Sequence, residues 1–351
     1  MLNLTEISIK MRKLFIGLSI AFVCYLILKL LIGFAVDYIK STTPVKTLPP
    51  NLRFGILPRP KFINIVNSSS GLNITLENVE GRPPEATTVA KIYSMPNKML
   101  TLLSPERAKQ LANKLGFIKE PTHLNPNTYF FSDNNQQKTL SVDITNLNFH
   151  MKYDYSLNMK DIFKNIQFES QEITVATINN YLLSNFLFDA SLINNLAKVE
   201  LLHYASESSQ LVPVDKIYTA DAIRIDYFRN KIDNLRILPP TFDKSYNYVL
   251  YTPSQLTNYL EISYTFWPVD YGDYATYPLI SSEEAWKELL DGYGFVLNKG
   301  NINPNKIVVR KIYIAYYDSQ EPQGFLQPIF VFEGDDGFVA YLPAIRPEFL
   351  E

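Results

Sequence analysis

A single cysteine, Cys24, stands in 351 residues. That excludes an intramolecular disulfide and a cysteine metal cluster. Histidine is nearly as scarce: His123, His150 and His203 are scattered, and none has a partner at helical ligand spacing. A zinc site would have to combine carboxylates with distant histidines, so no metal is expected. There is no Gly-x-Ser-x-Gly elbow and no serine followed three residues later by lysine, so both common serine-nucleophile signatures are missing. Gly292 and Gly294 lack the third glycine of a dinucleotide loop, and there is no phosphate loop. Motifs therefore name no catalytic residue and no cofactor. A pair of carboxylates brought together from distant positions, as in a glycosidase, leaves no sequence signature.

Charge is also sparse. Only 19% of residues are charged and the net is −2, which gives no reason to expect a nucleic-acid partner. With 46% hydrophobic residues the chain is long and apolar enough for a sizeable core and about two domains. Twenty-three Tyr and twenty-two Phe against two Trp point to aromatic-rich strands.

The longest apolar run is Leu14 to Val36, 23 residues interrupted only by Lys29. As a helix it would cover ~34 Å, against a hydrocarbon core of ~30 Å. It predicts a transmembrane helix over 14–36 that makes the chain an integral, single-pass membrane protein. Cleavage after Gly33-Phe34-Ala35 is the rival reading, and Cys24 reads as a small apolar residue within the run. Lys10, Arg12 and Lys13 precede the run, so 1–13 is expected to be a cytoplasmic tail and the bulk of the chain extracytoplasmic. Residues 37–351 carry 29 basic and 34 acidic groups, a net of −5, which disfavours nucleic acid and anionic lipid as partners.

Five prolines between Ser41 and Pro60 mark 37–61 as a linker, either an extended spacer or an arm packed along the domain through Phe54, Ile56 and Leu57. Ile63 to Val66, Asn73 to Glu77 and Thr88 to Tyr93 alternate as strands do. Asn67-Ser68-Ser69 and Asn73-Ile74-Thr75 fit the glycosylation pattern but also suit turn and strand chemistry. Ser104, Pro105 and Glu106 then open a predicted helix. Ala108, Leu111, Ala112 and Leu115 form its apolar stripe, and Gly116 ends it. Thr128–Phe131, Thr139–Thr145 and Asn148–Tyr153 follow as strands.

An analogous block starts at Ser281 or Ser282, with Glu284 completing a capping box. At an offset of 178, Ser104, Glu106, Lys109, Leu111 and Gly116-Phe117 match Ser282, Glu284, Lys287, Leu289 and Gly294-Phe295. Strands at Lys306–Tyr317, Leu326–Glu333 and Gly337–Pro343 come next. The expected fold is α+β: an N-terminal transmembrane helix, then repeated units of a helix packed on an antiparallel sheet. The units are 62–160 and 271–351, with a middle α+β region over 161–270 that holds a helix at Asn179–Leu196 and strands at Lys198–Tyr204, Ala222–Phe228, Tyr246–Tyr251 and Leu260–Trp267.

Two features remain as candidate binding surfaces. Tyr264, Phe266, Trp267, Tyr271, Tyr274 and Tyr277 crowd one stretch, and such rings either stack on sugars, anchor a partner or fill the core. Of these, Tyr264, Trp267, Tyr271, Tyr274 and Tyr277 are the candidate binding residues. Of three acidic clusters, Asp270–Tyr274 offers oxygens to a hard cation but lacks the EF-hand ligand spacing, Glu333–Gly337 reads as a tight turn at Asp336-Gly337 rather than a calcium loop, and Asp318–Glu321 reads as another loop.

The run Leu102-Leu103-Ser104 through Gly116-Phe117, with Leu140-Ser141-Val142-Asp143-Ile144, resembles PepSY-like units. Ile225-Asp226-Tyr227-Phe228, Gln327–Phe332 and Phe338–Ala344 are similar to the ectodomains of YycH/YycI-type regulators. The resemblance implies a bacterial extracytoplasmic α+β protein with one N-terminal span that binds and restrains a sensor kinase of the cell wall. The expected function is thus a non-enzymatic, membrane-anchored binder or regulator of another envelope protein, with helix contacts through Gly17, Ser19 or Gly33. The alternative is an envelope glycan binder or carbohydrate-active enzyme using the aromatic patch and loop carboxylates. A PepSY-type scaffold or inhibitor is a third reading.

Overall fold

A computed structural model describes residues 14, 17–18, 20–29, 32–33, 49–62, 67–156, 158–195, 197–298 and 306–351. By its contacts the chain divides into Met1–Leu48 and Pro49–Glu351. In the first unit, residues 20–29 are continuously helical, with Ile20, Phe22, Val23 and Leu28 more than half exposed. At 1.5 Å per residue such a stretch covers about 15 Å, half of a bilayer core. Among the described residues no helix is long and apolar enough to cross a membrane. This overturns the transmembrane, single-pass expectation for 14–36: an apolar run satisfies the hydropathy condition, but a span also needs about 18 or more consecutive helical residues, and no helix among the described residues meets that. Ser19 and the predicted strand 63–66 lie outside the described residues, as does the proline-rich stretch 41–48.

Strand dominates the second unit. The expected repeat of helix-on-sheet units is replaced by two large sheets, with 35% strand against 22% helix overall. The chain begins with β1 (Asn67–Ser68), β2 (Ile74–Leu76) and β3 (Val89–Ser94), and continues through α1 (Ser104–Lys114). A four-strand run follows: β4 (Thr122–Asn125), β5 (Thr128–Ser132), β6 (Lys138–Asp143) and β7 (Phe149–Tyr153). Helices α2 (Met159–Ile162), α3 (Gln171–Ser184) and α4 (Ala190–Ile193) come next. Then come β8 (Lys198–Ala205), β9 (Gln210–Val214), β10 (Ala222–Asp226), β11 (Ile237–Leu238), β12 (Tyr248–Tyr251) and β13 (Tyr259–Tyr264). The chain closes with β14 (Asp270–Pro278), α5 (Ser282–Leu290), β15 (Phe295–Asn298), β16 (Ile307–Tyr317), β17 (Phe325–Gly334) and β18 (Val339–Pro343).

Among the described residues these strands form two nine-stranded sheets. One runs β4-β5-β6-β7-β13-β12-β10-β8-β9, antiparallel throughout. The other is built around the β16–β17 hairpin and takes in β1, β2, β3, β11, β14, β15 and β18. They are nested, not consecutive. Ser94, at the end of β3, pairs directly with Asp270, at the start of β14. Residues 95–269 therefore leave and re-enter at neighbouring positions of one antiparallel pair. The first sheet is an insert within the second, which serves as its frame.

The two helices matched at an offset of 178 both exist, but their surroundings differ. After α1 the strands form a meander in chain order. After α5, β15 pairs with β18, giving the order β15-β18-β17-β16 of a Greek key. The caps differ as well. Ser281 and Glu284 make the reciprocal capping box of α5, whereas the N-cap of α1 is Leu103, and Ser104 Oγ accepts from Thr101 N at 3.1 Å instead. Gly116 ends α1 at φ +87, but the corresponding left-handed residue after α5 is Gly292 at φ +97. Gly294 is small for another reason: a Cβ there would lie 2.2 Å from Leu289 Cδ1 and 3.0 Å from Ser69 Oγ. The matched glycines thus answer different steric demands, and the pattern does not mark a repeat.

The insert sheet buries one face throughout and part of the other, where Ile162 and Phe163 pack with Leu202, Ala222 and Leu250. Ala108, Leu111, Ile178, Leu182 and Leu192 of the helices pack on Phe131, Leu140, Val142, Phe149, Ile223, Ile225, Val249 and Ile262. The frame sheet is apolar on both faces. Ile312, Ile314, Phe330, Phe332 and Leu342 meet Ala285 and Leu289 of α5 on one side. Ala315, Tyr317, Ile329, Val331 and Tyr341 form a second core on the other, under Phe62. Described arm residues lie along the frame: Leu57 N donates to Phe349 O at 2.8 Å, and Phe54 sits 4.9 Å from Phe325.

A buried ion pair joins insert to frame. Arg229 Nε donates to Asp318 Oδ2 at 2.8 Å, and Arg229 Nη2 to Trp267 O at 2.6 Å. Burial opposes the guanidinium's charge, but Asp318 outweighs it and holds Arg229 protonated.

Candidate functional site

Away from the Leu202–Ala222–Leu250 patch, the outward face of the insert sheet is the polar counterpart of its core face. Alternation along each strand sends Phe149 and Met151 inward and His150 and Lys152 outward. Register then aligns the outward residues across strands. Ser141 opposes His150, His150 opposes Ser263, Ser263 opposes Tyr248, and Tyr248 opposes Asp226. The next rung runs Thr139, Lys152, Glu261, Leu250 and Arg224.

Part of this face is a concavity of about 390 Å³ whose lining includes Ser141, Asn148, His150, Tyr246, Tyr248, Ser263, Thr265 and Gln320, with one carboxylate, Asp143, which accepts from Thr145 N and Asn146 Nδ2 at 2.8 and 2.9 Å. Gln320 comes from the frame, on the loop after β16, and its carbonyl accepts from Trp267 Nε1 at 3.3 Å. Backbone junctions hold the floor: Phe266 N donates to Asn148 Oδ1 at 2.9 Å and Thr265 N to Asn247 Oδ1 at 2.6 Å. Asn148 is buried, and its Nδ2 has no hydrogen-bond partner among the described residues. A buried amide donor without an acceptor costs about 1–3 kcal/mol, so this position calls for an acceptor from water or a ligand.

The full charges on the neighbouring rungs are already matched, while Asp143 is hydrogen-bonded only to neutral donors. Arg224 donates to both oxygens of Asp226, at 3.0 and 2.8 Å, and its guanidinium stacks 3.7 Å over the Tyr248 ring. The Tyr248 hydroxyl donates to Glu261 Oε2 at 2.7 Å, and Lys152 Nζ lies 3.9 Å from Glu261. Burial and the Glu261 charge push the Tyr248 phenol above its ordinary pKa, so it stays protonated. The protein mass around His150 lowers its pKa from 6.5, although the side chain keeps solvent access. At neutral pH His150 is therefore an uncharged imidazole. No serine hydroxyl in the concavity is hydrogen-bonded to that imidazole; Ser141 Oγ reaches only the His150 carbonyl, at 3.5 Å. What lines the concavity is mainly a set of neutral donors and acceptors, imidazole, hydroxyls and carboxamides, with the Asp143 carboxylate among them.

The five aromatic residues singled out from sequence are divided among four environments. Tyr277 is fully buried in the frame core, its hydroxyl donating to Gly55 O at 2.8 Å. Tyr264 packs into the insert core, 4.9 Å from Phe188 and 5.8 Å from Phe149. Tyr271 and Tyr274 surround Tyr93 at 6.1 and 5.9 Å, with Lys91 Nζ 4.9 Å over the Tyr274 ring. Trp267 alone touches the rim of the concavity, through Gln320.

The acidic loops are occupied internally. Asp335 accepts from Arg310 Nε at 2.9 Å and Nη2 at 2.7 Å, beside the left-handed Asp336 at φ 54. Asp273 pairs with Arg53, and Asp270 Oδ1 accepts from Gly272 N at 2.9 Å. No group of three or more His, Cys, Asp or Glu among the described residues is placed to hold a metal ion.

Sequence reasoning missed the polar rungs because each contributes one ordinary residue per strand. Their only local trace is the alternation itself, as in Phe149-His150-Met151-Lys152.

No family model and no curated protein matches the chain. Among solved structures, an uncharacterized protein from Eubacterium rectale ATCC 33656 is similar over 79% of this chain and 88% of that one, at 14% identity and a TM-score of 0.40.

Proposed function

We propose that the protein is a non-catalytic binding protein whose insert sheet takes a neutral, hydroxyl-rich ligand, a glycan in chemical class. The observation that supports this reading most is the rung Ser141–His150–Ser263–Tyr248 above the unpartnered Asn148 Nδ2. A sugar hydroxyl both donates and accepts, which suits a neutral imidazole flanked by hydroxyls. Carboxylates that are already hydrogen-bonded to Arg224 and Tyr248 are poorly placed to serve as a general acid and base. Calorimetry with neutral oligosaccharides, together with an assay for released sugar, tests the reading. Binding without turnover, weakened severalfold by His150→Ala, is expected from the loss of one or two hydrogen bonds. Absence of binding across such a panel, or sugar release, would overturn it.

A second reading, a protein partner, draws on a different observation. Met99, Leu100, Leu102 and Leu103 precede α1 with 86%, 53%, 100% and 61% of their surface exposed. A contiguous aliphatic surface of this kind is typical of interaction sites. Leu102→Arg with Leu103→Arg should release such a partner while leaving oligosaccharide binding intact. A partner retained by that variant would remove the reading.

A further inference from the structure

A second cavity, on the frame and distinct from the concavity above, has about 310 Å³ of space. Its walls come from three parts of the chain: Arg59 on the arm, Glu288 on α5 with Phe295 beyond it, and Ile280, Leu342 and Ile345 around the C-terminal strand. The lining is mainly apolar, with two full charges of opposite sign set into it. Those charges do not pair with each other or with any other described residue: neither side chain has a hydrogen bond or ion pair, although Arg59 is close enough to bear on the Glu288 carboxyl. Glu288 is half-buried, and desolvation raises its pKa, reinforced by Glu284 and Asp291 and opposed by Arg59. A carboxylate held in this way gains from an incoming cation, and the Arg59 guanidinium offers a planar fork to an incoming carboxylate.

We infer that this cavity binds a small zwitterion with an apolar body, a free α-amino acid with a large aliphatic side chain, whose ammonium meets Glu288, whose carboxylate meets Arg59 and whose side chain lies against Leu342 and Ile345. A volume near the lower end of ligand pockets suits a molecule of this size. The two charges supply orientation, and the apolar wall supplies most of the attraction.

The test is calorimetry on the full chain with four probes: L-leucine, isopentylamine, 4-methylpentanoate and glycine. Leucine should bind at least tenfold more tightly than each of the others, which lack the carboxylate, the ammonium and the apolar body respectively. Glu288→Gln and Arg59→Gln should each weaken leucine at least tenfold, while circular dichroism and the thermal transition confirm a folded chain. Absence of leucine binding at millimolar concentration overturns the inference. So does equal binding of leucine and isopentylamine, or insensitivity to Arg59→Gln. Oligosaccharide binding to the insert sheet is measured on the same variants, so failure of either site is distinguishable from failure of the other.

Discussion

The two sheets bury apolar surface in different ways. In the frame, β16 and β17 are covered on both faces, so Ile307–Tyr317 and Leu326–Phe332 read as nearly continuous apolar runs. In the insert, one face carries the core and the other faces water in part, so β7 and β13 alternate. A doubly covered sheet has no surface left for chemistry except at its rims, where the Arg59–Glu288 cavity lies. A sheet whose second face is covered only in part, here around Leu202, Ala222 and Leu250, keeps a polar area on which register, and not chain proximity, brings side chains together.

The joint between the two sheets gives the largest test of this contrast. Arg229→Leu leaves Asp318 buried without its partner and should cost about 3–5 kcal/mol in urea unfolding. Adding Asp318→Leu should recover most of that loss; a double variant no more stable than the single one would show that the pair itself holds the sheets together. Next in size, Phe332→Ala empties a fully buried frame position and should cost about 3–5 kcal/mol. Phe130→Ala, on the outward face of the insert, should cost much less. Equal losses would mean that the insert's outer face is as tightly packed as the frame.

Gly294→Ala tests the close approach of the β1 turn to α5. Its added Cβ meets Leu289 and Ser69, and a loss of about 1–3 kcal/mol is expected in thermal unfolding. A neutral effect would show that Leu289 turns aside freely.

Two smaller effects depend on pH. The folded His150 has a pKa below 6.5, so the unfolded chain takes up a proton first as pH falls through 6.5. The urea midpoint should therefore drop on acidification from pH 7 to 5.5, less so in His150→Gln. Glu288 has the opposite sign of shift: its folded pKa lies above 4.5, so its ionisation disfavours the folded state as pH rises past that value. Without added ligand, Glu288→Gln should raise the melting temperature at pH 7 but not at pH 4. No difference between the two would remove the claim that desolvation dominates there.

Much of the strand content was legible in sequence. Thr128–Phe131, Lys306–Tyr317 and Leu326–Glu333 were expected close to where β5, β16 and β17 lie. The Ser281–Glu284 box was legible too, because capping is decided within four residues. The helix expected over 179–196 instead starts at Gln171, after the Ser170 cap, and ends at Ser184. The apparent repeat failed because Ser, Glu and Gly recur at helix ends for local reasons, whatever sheet follows. The aromatic stretch 264–277 failed as a single surface because it spans the crossing from insert to frame, where neighbours in sequence enter different cores.

By itself, the sequence determined many of the strand segments, the apolar stripe of α1 and where α5 begins. Those follow from side-chain periodicity and short-range hydrogen bonds. Only the tertiary structure decided that Ser94 meets Asp270, that His150 stands between Ser141 and Ser263, and that Arg59 faces Glu288 across an apolar cavity. Backbone hydrogen bonds are the same for every strand. The choice of partner rests on how whole faces pack across long separations in the chain, and no local pattern carries that information.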